Sequence, residues 1–142
     1  MKKIFFFVFF ICLFSIFKIE SKSNYNYLKN DESYNIYSVS MDNLNTKNIV
    51  NYFNNIDVIE IYPLVNPIYK SRIGNVSYKL RGDILNNEIS LFTNYYLSLI
   101  KKNSYLDYNY LYINGIAIDK VDIYISGRDL YNFLMVNDAY IS

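Results

Sequence analysis

Hydrophobic and polar positions change rhythm several times along this chain, and each rhythm predicts an element. An apolar run, Ile4 to Phe17, interrupted only by Ser15, follows Lys2-Lys3 and gives way to the mostly polar Lys18–Ser23. Residues 22–45, rich in Asn, Ser, Tyr and Lys, show little periodicity and read as a flexible or loosely docked segment. Asn45-Thr46 then caps a short helix whose Ile49, Val50 and Phe53 fall at helical spacing. Ile56 to Leu64 is rich in β-branched residues and reads as a strand ended by Pro63 and Pro67.

Two β-hairpins are expected next. Ile68–Ile73 and Val76–Arg81 flank Gly74-Asn75, where glycine supplies the positive φ of a type II′ turn. Alternation would put Tyr69, Ser71 and Ile73 on one face with Val76, Tyr78 and Leu80. Lys70, Arg72, Lys79 and Arg81 would share the other. Tyr105–Ile113 and Ile116–Ile125 flank Asn114-Gly115, a type I′ turn signal, with Ile113 facing Ile116 and Leu111 facing Ile118. After Gly127, Leu130, Phe133 and Leu134 fall at i, i+3 and i+4, a short amphipathic helix over 128–135.

Residues 88–102 carry both periods. Ile89, Phe92, Tyr96, Leu99 and Ile100 make a helical stripe, with Asn87 as cap and Lys101-Lys102 at the C-terminal dipole. Ile89, Leu91, Tyr95, Leu97 and Leu99 also alternate as a strand does. The helix gives an α+β domain over 46–142, an antiparallel sheet of two hairpins with two or three short helices. The strand gives an all-β antiparallel meander or small barrel.

The N-terminal run is 14 residues long. That suits the roughly 7–15 residues of a signal-peptide core and falls short of the ~20 that span a bilayer. Basic, apolar and polar regions follow in order, so residues 1–21 are expected to be a signal peptide, with cleavage after Ser21 or Ser23. An uncleaved signal anchor is the alternative. No transmembrane segment is expected after cleavage. The leader holds seven of the ten Phe and the single Cys, Cys12; all seventeen Tyr come after it. Taking Lys2, Lys3, Lys18 and Glu20 away leaves eleven cations against twelve carboxylates. Such a balance predicts no nucleic-acid partner. The Asn, Ile, Tyr and Lys runs resemble those of proteins from A+T-rich genomes, parasitic protists included.

The chain has no His, which removes the commonest general base and the commonest metal ligand, and with them every Ser-His-Asp, Cys-His or His-metal site. No motif asks for carboxylate, Lys, Ser or Tyr chemistry. The expectation is a non-enzyme with no cofactor and no metal. Three features compete as sites. Lys70, Arg72, Lys79 and Arg81, held on one hairpin face, would repel one another and attract an anion such as a lipid headgroup or sulfated glycan. Asn75-Val76-Ser77 is a glycosylation sequon placed in a turn, with Asn75 as acceptor. Tyr108, Tyr110 and Tyr112 would line a sheet face, to stack rings or pack on helices.

Together these point to a small secreted binding or interaction module, extracellular or vacuolar, whose partner is a protein, a lipid headgroup or a glycan. The alternative is relay through the secretory route to a secondary plastid, with 22–45 as transit segment. Asp31, Glu32 and Asp42 speak against it, because transit peptides are poor in acids.

Overall fold

Val121, Ile123 and Ile125 point one way along a single strand while Lys120, Asp122 and Tyr124 point the other, and this alternation organises the molecule. The structure, a computed structural model, describes residues 24–82, 84–101 and 105–142; the expected signal peptide, 1–21, lies outside the described residues. The sheet contains β1 (Tyr34–Met41), β2 (Asp57–Pro63), β3 (Tyr78–Lys79), β4 (Ile118–Ser126) and β5 (Ala139–Ile141). Their order is β3-β2-β4-β1-β5 and every pairing is antiparallel. The helices are α1 (Ile49–Tyr52), α2 (Pro67–Ile73), α3 (Leu85–Lys101), α4 (Tyr105–Asn114) and α5 (Gly127–Val136), preceded by a 3-10 turn at Asn26–Leu28. The class is α+β, and the sheet is open: β3 and β5 end it on opposite sides, so the small-barrel alternative does not form.

Burial settles the ambiguous segment as helix. Ile89, Phe92, Tyr96, Leu97 and Ile100 of α3 are buried, whereas Leu91 and Tyr95, which a strand would have turned inward with Ile89, are exposed. α5 forms where the periodicity predicts it, because Ser126 caps it by accepting from the Asp129 N–H at 3.2 Å and Leu130, Phe133 and Leu134 turn into the core. The rings of Phe53 and Phe133 meet there at 5.1 Å. No helix among the described residues is long and apolar enough to cross a membrane.

Neither expected hairpin exists, and the two glycines explain why. Gly74 has φ +69° and donates its N–H to the Lys70 carbonyl at 3.0 Å, so it ends α2 rather than turning a hairpin. Asn66 starts that helix by accepting from the Ile68 N–H at 3.1 Å, and Pro67 occupies the first position, where its missing N–H costs nothing. Tyr69 and Ile73 alternate as in a strand, but they also stand at i and i+4, and on α2 both turn inward. Gly115, with φ +91° and its N–H on the Leu111 carbonyl at 2.9 Å, ends α4 in the same way. Ile113 is consequently 70% exposed rather than packed on buried Ile116. β4 pairs instead with β1 and β2.

The largest departure lies in 22–45. Tyr34–Met41, expected in a loosely docked segment, is β1, hydrogen-bonded to β4 on one side and to β5 on the other. Val39 and Met41 enter the core. The segment is tied down ahead of β1 as well. Arg128 donates its N–H to the Asp31 carbonyl at 2.7 Å, and Asp31 lies so close to Gly127 that a Cβ there would stand 2.7 Å from the Asp31 Cβ. The Gly127→Ala variant is therefore expected to lose about 1–3 kcal/mol by overpacking, read as a lower urea midpoint with an unchanged slope. An equal midpoint would mean that the Asp31 turn yields freely.

Candidate functional site

The helices pack on one face of the sheet, over Val39, Ile61, Val121 and Ile123. The opposite face collects what the registers place on it. Ile36 of β1, Tyr124 of β4 and Asp57 of β2 form one row, and Ser38, Asp122 and Glu60 the next. Lys79 of β3 stands beside Glu60, Lys120 beside Tyr62, and Tyr140 of β5 beside Ser40. Ile36 is 60% exposed, Tyr34 52% and Tyr124 45%. These values make the end of the face an apolar patch rather than scattered side chains, since the Tyr34 and Tyr124 rings touch at 5.3 Å.

The middle of the face is polar and internally bonded. The Tyr62 hydroxyl donates to the Glu60 carboxylate and lies 3.1 Å from Asp122 Oδ2, while the Ser38 hydroxyl donates to Asp122 Oδ1. The hydrogen bond to Glu60 above all, then burial and Asp122, pushes the Tyr62 phenol far above its ordinary value. The Lys120 ammonium stands 4.7 Å from the centre of the same ring, a cation–π contact. A phenol held in its protonated form is a hydrogen-bond anchor, not a base. Among the described residues no group of three or more His, Cys, Asp or Glu is placed to hold a metal ion.

The four cations of the expected anion patch fall on different elements. Lys70 and Arg72 are exposed on the last turn of α2. Lys79 lies on β3 opposite Glu60, and Arg81 follows it, donating its backbone N–H to Glu88 at 3.3 Å. The register that would have set them side by side depends on the hairpin that α2 replaces. Lys70 instead lines a cleft of about 360 Å³ with Tyr62, Asn75, Asp119 and Lys120, so that a carboxylate borders the same cleft as the two ammonium groups. Asn75 is exposed between α2 and β3, open to modification. Tyr110 and Tyr112 stand 65% exposed on α4, not in a sheet row. The Tyr108 side chain lies outside the described residues.

Sequence reasoning missed the Tyr34–Ile36–Tyr124 patch altogether. Tyr34, Ile36 and Tyr37 are large on both parities, so β1 shows no clean period 2. No family model matches the chain, and neither does any curated protein or solved structure.

Proposed function

We propose that this protein is a small secreted binding module, without catalytic activity, that holds a partner protein against the helix-free face of its sheet. One observation carries the reading: Tyr34, Ile36 and Tyr124 form a contiguous, half-exposed aromatic and aliphatic patch next to a row of internally bonded polar groups. Tyrosine-rich apolar centres with polar surroundings are the anatomy of protein interfaces. A protein partner is preferred to an anionic lipid or glycan because Lys79 faces Glu60, and Lys70 and Lys120 share their cleft with Asp119. Secretion is preferred to organelle relay because a transit segment removed up to Asn45 would take β1 with it.

The test places a photo-reactive amino acid at Tyr124 and, in a second preparation, at Ile84, which is 73% exposed at the start of α3. Irradiation is done in the compartment to which the tagged protein is exported. A single saturable protein adduct is expected at Tyr124, lost in Tyr34→Lys and absent at Ile84. Equal adducts at both positions, or none at either, overturn the reading.

A further inference from the structure

On the helix side of the molecule, α2, α3 and α4 contribute to one pocket of about 200 Å³. Its floor is made by the buried Tyr69, Tyr96 and Ile100, and its rim by the exposed Leu64 and Tyr110. Tyr69 reaches this place because Asn66 and Pro67 start a helix there and turn it inward.

One polar group of that floor stands alone. Tyr96 is 2% exposed, and its ring lies on Phe92 with centroids 6.3 Å apart. Burial raises its phenol above the ordinary value, so the hydroxyl keeps its proton and can donate it. That hydroxyl has no hydrogen-bond partner among the described residues. Nor is it sealed in, because the one side-chain oxygen there that is both sealed and unpaired is Glu88 Oε2. The Tyr96 hydroxyl therefore opens on the pocket that its ring borders. Burying a hydroxyl costs stability until something accepts from it.

Three further properties narrow the ligand. No charged residue borders the pocket, which suits a neutral molecule. Asn66, at the rim, commits its Oδ1 to the Ile68 N–H at 3.1 Å and keeps its amide N–H₂ as a second donor, so the ligand has to bring the acceptor. An apolar cavity of about 150 Å³ holds one benzene, and this pocket has room for such a ring with a small substituent. We infer that the pocket binds a neutral, single-ring aromatic carbonyl compound, its ring against Tyr69, Ile100 and Tyr110 and its carbonyl oxygen accepting from the Tyr96 hydroxyl. The site lies among helices, apart from the helix-free face, so neither reading depends on the other.

Acetophenone is the test molecule, and α-methylstyrene, with C=CH₂ in place of C=O, is its counterpart of the same shape. Nuclear magnetic resonance titration of the mature chain with isotope-labelled tyrosine rings reads both. Saturable shifts are expected at Tyr69, Tyr96 and Tyr110, with a Kd for acetophenone on the order of 1 mM, as suits so small a ligand. Tyr96→Phe keeps the ring and removes only an unpaired hydroxyl, so circular dichroism should be unchanged. It should weaken acetophenone about three- to tenfold and leave α-methylstyrene no weaker than before. Comparing each compound with itself across the two proteins cancels the difference in their affinity for water. No saturable shift with acetophenone up to ~10 mM overturns the inference, including the case in which the pocket takes only water. So does a Tyr96→Phe variant that weakens both compounds alike or neither, or saturable shifts at Tyr34 and Tyr124 in place of these three rings.

Discussion

A chain trimmed to Asn45–Ser142 is expected to lose cooperative folding. The polar composition of 22–45 suggests the opposite, an independent 46–142, but the pairing of β1 overrules it. Removing that segment strips β4 of one neighbour from Ser126 to Val121 and takes from β5 the strand it pairs with among the described residues. It also takes Leu28, Val39 and Met41 from the core, at 1%, 0% and 8% exposure. At roughly 1.5–3 kcal/mol for each buried aliphatic side chain, these three alone represent on the order of 5–9 kcal/mol. A domain of this size has about 5–15 kcal/mol in all. Urea titration followed by circular dichroism is the measurement, with the chain from Asn24 as control. The trimmed chain should show a shallow, featureless change where the control shows a sigmoid. A sigmoid of similar slope in the trimmed chain would mean that β1 is an accessory strand.

What the sequence reveals of this fold depends on whether local and tertiary signals agree. At α5 they do: Ser126 caps, Leu130, Phe133 and Leu134 share a face, and nothing competes. β2 is similarly plain, since Val58 and Ile61 belong to a β-branched run that ends at proline. Gly74 and Gly115 show where a signal is real but shared. A positive φ is needed both by a primed hairpin turn and by the residue that ends a helix. Only the cap at the other end, Asn66-Pro67, separates the two for α2. β1 fails for a different reason. Its strand character lies in its pairing with β4, a contact between residues some ninety positions apart, and its own Tyr, Asn and Ser pattern carries no period. The binding face inherits that failure. Tyr34 and Tyr124 touch only because β1 lies beside β4, so no window of sequence contains the patch. The cations of 70–81, by contrast, were legible only through a register that does not form.

Glu88→Gln is expected to raise stability by about 1–3 kcal/mol, the direction set by relieving an incompletely paired buried charge. Glu88 is fully buried in the first turn of α3. Its Oε1 accepts the Arg81 N–H at 3.3 Å, while Oε2 has no hydrogen-bond partner among the described residues. The favourable field of the helix N-terminus, about 0.3–1 kcal/mol, offsets only part of that cost. Glutamine keeps the acceptor for Arg81 and brings an N–H₂ toward Tyr78, whose ring packs on Phe92 and Tyr95 of the same helix. Tyr78 gives the prediction a second readout. Burial first, and then the Glu88 carboxylate, raises the Tyr78 phenol above its ordinary value. A raised phenol contributes stability that is present below the unfolded value of about 10 and is lost as pH rises through the folded one. Without the Glu88 charge the folded value drops toward the unfolded one, so less is lost. The advantage of Glu88→Gln over wild type should therefore grow as pH rises above about 10, and the Tyr78 ring should titrate earlier in ultraviolet difference spectra. A variant that is less stable than wild type at neutral pH, with Tyr78 titrating unchanged, would mean that the carboxylate's charge holds this corner together and that the phenol's shift comes from burial alone.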